Sequence, residues 1–182
     1  MPNENSFWVL YGQHTAPTYI EDAGGGQELQ RNAALKYVQS WRTCLDIGSN
    51  IGQWTRPLTK QFEKVICFEP NPNFRECFER NIQKTNVTLF PYGLSDKNEE
   101  IVVRHNKFEP HGEFSINFND VKKNNLNSVL YDEHLVKLKI FDEIFINTSD
   151  KISFIKIDVE GFELNVLKGM KKTLSNHSPI IF

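Results

Sequence analysis

The chain has 182 residues, of which 39% are hydrophobic and 24% charged, and its formal net charge is −2 at pH 7. This composition points to one soluble, folded domain with room for a real core and excludes a disordered chain. Lysine and arginine are dispersed, which argues against nucleic acid as the main partner, and no apolar run reaches membrane-spanning length.

Residues 1–26 read as an irregular N-terminal segment, with Trp8 and Tyr11 set among Pro17 and Gly24-Gly25-Gly26. The start, Met1-Pro-Asn-Glu-Asn, lacks the basic-then-apolar pattern of a secretory signal, so a cytoplasmic location is expected. Leu29 to Trp41 carries Ala33, Ala34, Tyr37, Val38 and Trp41 at helical spacing, which predicts a helix with one buried face. Thr43 to Ile47 is a short buried strand. The next helix contains Pro57, which is tolerated only in a first turn, so it starts near Trp54 or kinks there. Val65 to Phe68 is a second strand. Asn71 then caps a helix with Pro72 at its first position, and Phe74, Cys77, Phe78 and Ile82 form its buried stripe.

Val87 to Tyr92 is a third strand, leading into Gly93-Leu-Ser-Asp96, and Ile101 to Arg104 is an additional short one. Residues 105–135 are the least regular part, a long insert of the kind that is functional or disordered. Ile152 to Val159 is a strand, and Phe162 to Leu174 a helix burying Leu164, Val166, Leu167 and Met170. Ile180 to Phe182 begins one more strand. Strands alternating with helices predict a single α/β domain over residues 1–182, its sheet mostly parallel with helices on both faces. Cys44, Cys67 and Cys77 lack paired spacing and read as small buried hydrophobes in a reducing compartment.

Chemistry concentrates at the strand ends. Gly48-Ser-Asn-Ile-Gly52 resembles the dinucleotide turn G-x-G-x-x-G, but Asn50 stands where the middle glycine admits a pyrophosphate. Asp46, just before the turn, repels a phosphate and accepts from an ammonium. Glu69, at the end of the next strand, is placed to grip a ribose diol. S-adenosylmethionine (SAM) carries an ammonium, a sulfonium and a ribose diol without a phosphate, so it matches this pattern better than NAD does. The plainer alternative is a tight strand-to-helix turn with Glu69 as a solvated strand end.

A second constellation comprises Lys156, Asp158, Glu160 and Glu163. Strand alternation puts Phe154, Lys156 and Asp158 on one face, and Ile155, Ile157 and Val159 on the other. A mid-strand lysine needs a partner, and Asp46 or Asp158 would serve. Asp158 lies where ligands bind, beyond a strand's carboxyl end. It is placed to act as general base or, with Glu160, to face an acceptor. Those two acids supply two oxygens of a metal set and nothing clear supplies a third, so no metal is expected. Glu163 suits the dipole of the following helix. His111 is a further candidate base within the insert.

Asp46-Ile-Gly-Ser-Asn-Ile-Gly52, Phe68-Glu-Pro-Asn-Pro72, Gly93-Leu-Ser-Asp96 and Phe154-Ile-Lys-Ile-Asp-Val-Glu-Gly-Phe-Glu163 together, in this order, resemble the FkbM family of SAM-dependent methyltransferases over residues 43–182. The resemblance implies a Rossmann-like class I methyltransferase fold. It implies methyl transfer to a hydroxyl of a sugar or other small molecule. It places Asp46, Gly48 and Asn50 around the methionine part of SAM, Glu69 on the ribose and Asp96 near the adenine amino group. Asp158 falls closest to the methyl. Ser49, Gly52, Pro70, Asn71 and Ser95 complete the expected cofactor contacts, and Asp158 and Glu160 are the expected catalytic pair.

Class I methyltransferases usually close their sheet with a C-terminal hairpin, and that hairpin is expected to be missing here. The strand from Ile180 would then have a bare apolar edge, predicting either a homodimer through that edge or the first 26 residues folded over it. The acceptor site is expected in residues 1–30 and 105–135. The rival readings are a SAM-binding module without turnover and an NAD-dependent enzyme.

Overall fold

The structure, a computed structural model, describes residues 6–10, 17–20, 27–106, 114–115, 131–145 and 150–182. In chain order its elements are β1 (Phe7–Leu10), β2 (Pro17–Ile20), α1 (Glu28–Leu35), β3 (Thr43–Ile47), α2 (Thr55–Leu58), β4 (Lys64–Phe68), α3 (Pro72–Asn81), β5 (Val87–Phe90) and β6 (Gly93–Leu94). These are followed by β7 (Glu99–Asn106), β8 (Phe114–Ser115), β9 (Tyr131–Lys139), α4 (Phe141–Ile144), β10 (Ile152–Ile157), α5 (Glu163–Gly169), α6 (Lys171–His177) and β11 (Ile180–Ile181).

The central sheet is parallel throughout, in the order β11-β10-β3-β4-β5. All five residues of β3 and the first five of β10 are buried, as a strand covered on both faces requires. One face packs Leu35, Trp54, Leu58 and Phe62 from the α1 and α2 region against Cys44, Val65 and Phe154. The other packs Val166 and Met170 against Leu45, Ile47, Ile66, Phe68 and Ile155. The expected α/β architecture with helices on both faces is present. From β3 the chain steps outward to β4 and β5, then returns to β10 on the other side of β3. The strand order reverses there, and the crevice beyond the carboxyl ends of β3 and β10 is where such sheets bind ligands.

The turn chemistry read from sequence holds. Asn71 accepts from the Asn73 amide at 2.9 Å with Pro72 at the first helical position. Phe74, Cys77, Phe78 and Ile82 are buried. α2 starts after Trp54, so Pro57 falls in its first turn and no kink is needed. Cys44, Cys67 and Cys77 are free and buried, and burial pushes all three thiols up, Cys77 to about 12.

Other expectations are corrected. α1 ends at Leu35, and its inward stripe is Arg31, Leu35 and then Val38, leaving Tyr37 and Trp41 exposed. An arginine on the buried stripe hid the true phase of the helix. The helix expected over Phe162 to Leu174 is two, broken at Gly169 and Met170, and Leu164 is exposed. Gly169 sits where an added Cβ would lie 2.1 Å from the Ser95 carbonyl oxygen, so α5 closes directly onto the chain after β6.

The third strand stops at Phe90, and Gly93–Leu94 joins a second sheet of order β6-β9-β7-β8. Within it β7 and β9 pair antiparallel from Glu99↔Leu138 to Asn106↔Tyr131, burying Ile101, Val103, Val136 and Leu138. The segment read as the least regular thus supplies the end of β7, β8 and the start of β9. Among the described side chains of β9 only Val136 and Leu138 are buried apolar residues, too few for an alternation to show.

The N-terminal segment also contains strands. β1 and β2 pair antiparallel, and Phe7 and Val9 pack with Ile51, Phe74 and Cys77. The Trp8 amide donates to Asn81 Oδ1 at 2.7 Å, and Asn81 Nδ2 donates back to the Trp8 carbonyl at 2.9 Å. β1 therefore fastens to α3, and it does not cover β11. Among the described residues no strand lies beyond β11, and no helix is long and apolar enough to cross a membrane.

The Gly169 contact yields a stability prediction. Gly169→Ala should lower the urea midpoint by an amount equivalent to about 1–3 kcal/mol, because backbone must move to admit the methyl. An unchanged midpoint would show that α5 is not seated on Ser95.

Candidate functional site

The turn after β3 is built from three left-handed residues: Gly48 (φ 76°), Asn50 (φ 49°) and Gly52 (φ 92°). Asparagine tolerates this conformation, which is how it replaces a glycine here. An added Cβ on Gly48 would lie 1.9 Å from the Asp158 carbonyl oxygen, so the turn touches the end of β10. The amides of Gly48 and Ser49 donate to the Phe68 carbonyl at 3.0 and 3.1 Å.

Glu69, at the end of β4, closes the other side. Its carboxylate accepts from the Asn50 amide at 2.9 Å and the Asn71 amide at 2.8 Å, joining the two strand-end turns. The group is 3% exposed, which rules out a solvated strand end. Burial pushes Glu69 up to about 7, against the pull of the Asn71 and Asn50 amides and of Lys156 and Arg75. Arg75 anchors the same corner by donating to the Glu69 carbonyl at 3.0 Å.

Between these turns lies a buried charge cluster. Lys156 Nζ is 3.5 Å from Asp46 Oδ1 and 3.7 Å from Asp158 Oδ2, and it donates to the Gly48 carbonyl at 2.7 Å. Thr55 Oγ1 donates to Asp46 Oδ2 at 2.6 Å. The mid-strand lysine thus has both anticipated partners. Asp46 is fully enclosed, its oxygens facing Thr55 and Lys156, while the Asp158 side chain is half exposed at the rim. The asymmetry leaves Asp158 as the acid with access to a ligand. Sequence reasoning misses Thr55, since nothing in the sequence marks the threonine directly after the tryptophan that follows the turn.

Ser95 and Asp96 follow β6. Asp96 Oδ1 accepts from Asn165 Nδ2 at 2.9 Å and from Ser95 Oγ at 3.3 Å. The Asn165 hydrogen bond is the main reason the Asp96 carboxyl sits below its usual range. Asn165 is a second partner that no spacing signals. Glu160 (φ 51°) and Gly161 (φ 97°) form an exposed left-handed turn after Asp158. Glu163 does more than suit a helix dipole: its Oε1 accepts from the Val159 and Gly161 amides, each at 3.1 Å, and shapes that turn. Burial pushes Glu163 up, but these amides and its own hold it below the usual range. Pro70 packs at the same corner, its ring next to Gly93. His134 on β9 approaches Asn73 at 3.3 Å, a contact between the second sheet and α3 that was not anticipated. His111 lies outside the described residues, and among the described residues no group of three His, Cys, Asp or Glu side chains is placed to hold a metal ion.

Of the buried side-chain atoms described, Arg31 Nη1, Asp46 Oδ1 and Asn71 Nδ2 have no hydrogen-bond partner. Asn71 offers a buried donor after β4, and Asp46 Oδ1 faces Lys156 at 3.5 Å beneath the turn. The Asn71 donor, the Glu69 carboxylate and the half-exposed Asp158 carboxylate fit a cofactor that presents an ammonium and ribose hydroxyls. Lys156, which donates to the Gly48 carbonyl, is engaged by acids, so a pyrophosphate fits poorly.

Residues 46–182 match the sequence model of a family described as the methyltransferase FkbM domain. A hexuronic acid methyltransferase, AglP, from Haloferax volcanii is 28% identical over 89% of this chain and 63% of its own length. Methyltransferase 1 from Beauveria bassiana is 26% identical over 69% of this chain and 57% of its own. The chain thus spans less than two thirds of either relative. Among solved structures, a precorrin-6y C5,15-methyltransferase from Geobacter metallireducens GS-15 superposes on 78% of this chain and 54% of that one, with 12% identity and a TM-score of 0.42.

The raised Glu69 value gives a signed pH prediction. Because the folded protein holds this proton more tightly than the unfolded one, the contribution is fully present below about pH 4.5 and is lost as pH rises to about 7. Glu69→Gln should lack that decline, so the stability difference between wild type and variant should fall by up to about 3 kcal/mol between the two limits. Parallel curves would show that Glu69 titrates normally.

Proposed function

This chain belongs to the FkbM methyltransferase family, and on that premise we propose that it transfers a methyl group from SAM to a hydroxyl oxygen of a sugar or similar small molecule. The observation that carries this reading is that the strand ends where the order reverses bring together Asp46 and Asp158, both paired with Lys156, and Glu69, held by the Asn50 and Asn71 amides. The name of the Haloferax volcanii relative supports a sugar acid as the class of acceptor.

In this reading Gly48, Ser49, Asn50 and Gly52 wrap the amino-acid end of the cofactor, with Asp46 beneath the turn. Glu69 takes the ribose hydroxyls, with Pro70 and Asn71 alongside. Ser95 and Asp96 meet the adenine, and Asn165 holds Asp96 in place. The bound cofactor supplies a transferable methyl on a positively charged sulfonium. Asp158, half exposed and tethered by Lys156, takes the acceptor's hydroxyl proton as the oxygen attacks. Glu160, on the exposed turn next to it, orients the acceptor. Most of the rate comes from holding the two reactants in line.

Titration calorimetry with S-adenosylhomocysteine should show one site per chain. Asp158→Asn should leave that affinity within a few-fold while lowering kcat by about a hundredfold or more. Absence of binding at millimolar ligand would overturn the methyltransferase reading, and binding without transfer to any sugar or sugar acid would favour a binding module. Affinity should rise as pH passes about 7, where Glu69 becomes a full carboxylate able to accept from the ribose diol, and Glu69→Gln should flatten that rise.

A further inference from the structure

Arg31 is the one residue of the three with orphaned buried atoms that the reading above leaves without a role. It lies on the inward stripe of α1, 7% exposed. Its guanidinium stands over the Trp54 ring, 5.7 Å from the centroid, and its Nη1 has no hydrogen-bond partner. No carboxylate among the described residues forms an ion pair with it; Glu28, one turn earlier, acts on it only through space. Burying a guanidinium nitrogen without a hydrogen-bond partner is costly, and an arginine that a fold keeps in this state is explained by an anion it is built to receive.

Its position says which ligand. The last turn of α1, at Leu35, joins the core cluster with Cys44, Val65 and Phe154, and one turn earlier Arg31 reaches Trp54. Trp54 lies two residues after the Gly48 to Gly52 turn, and its Nε1 is fixed by Gln27 Oε1 at 2.6 Å. Arg31 therefore sits on the face of the sheet that carries Cys44, Asp46, Phe154 and Lys156, beside the Trp54 that follows the Gly48 to Gly52 turn. If Glu69 and Asp96 hold ribose and adenine, the ligand atoms nearest this turn belong to the amino-acid end of the cofactor or to the acceptor.

Resting on the methyltransferase reading, we infer that Arg31 binds a carboxylate, carried either by the amino-acid end of the cofactor or by a sugar-acid acceptor. The guanidinium offers a planar pair of N–H donors that matches a carboxylate, and the Trp54 face keeps that plane fixed. The same pocket should reject the neutral analogue of whichever ligand it reads, because the arginine is then left unpaired.

The test uses the full chain and two variants, Arg31→Met and Arg31→Lys. Removing a buried unpaired charge should not lower the urea midpoint of Arg31→Met, so binding can be compared in a folded protein; Arg31→Lys serves if it does. In the cofactor arm, calorimetry compares S-adenosylhomocysteine with its decarboxylated analogue. In the acceptor arm, it compares glucuronate with glucose. The inference predicts that wild type prefers the carboxylate ligand in one arm by about tenfold or more, that Arg31→Met abolishes this preference, and that Arg31→Lys retains only part of it. The arm in which the preference disappears names the source of the carboxylate. Equal preference in wild type and Arg31→Met in both arms overturns the inference while leaving the methyltransferase reading intact. Failure of wild type to bind any of the four ligands overturns both.

Discussion

The Lys156 ammonium is the constraint on which the strand ends depend. It lies on β10, whose first five residues are all buried, so it must be neutralised inside the protein. Its contacts are distributed over three separate pieces of chain: the Asp46 carboxylate on β3, the Asp158 carboxylate after β10 and the Gly48 carbonyl of the intervening turn. Each is also tied elsewhere, Asp46 to Thr55 and Gly48 to Phe68 and the Asp158 backbone. Satisfying one buried charge therefore fixes the geometry of the whole rim.

That arrangement divides labour between acids that look equivalent in sequence. Asp46 is enclosed and serves the lysine. Asp158 shares the lysine but keeps its side chain half exposed. Glu69 is buried and accepts from two amides, and its burial retains the proton to about pH 7 against the pull of those amides, Lys156 and Arg75. Asp96 is steadied by Asn165 and Ser95. An enclosed acid, an accessible acid, a nearly neutral acid and an amide-held acid around one crevice suit a ligand with distinct ends better than a uniformly charged one.

Much of this was legible from residue types. The acids at Asp46 and Glu69, the left-handed Asn50 and the Lys156 pairing follow from spacing, backbone preference and the cost of burying a charge. Asn71-Pro72 announced its helix because cap chemistry is local. What stayed hidden depended on tertiary contacts. Thr55 and Asn165 are ordinary residues until folding brings them to Asp46 and Asp96. β9 carries too few apolar residues to show its alternation, and β1 gains its partners from α3 and α2. The phase of α1 was missed because its buried stripe contains Arg31, and a buried arginine contradicts the pattern used to find buried stripes.

The most direct test of the lysine's organising role is a double-mutant cycle on Asp46 and Lys156, read by urea unfolding. Lys156→Met alone should cost about 3–5 kcal/mol, because it leaves Asp46 as an uncompensated buried charge. Adding Asp46→Asn should recover most of that loss, giving a coupling energy of at least about 1 kcal/mol. Additive losses in the double variant would mean that the two side chains do not depend on each other, and that something other than Lys156 holds the strand ends in place.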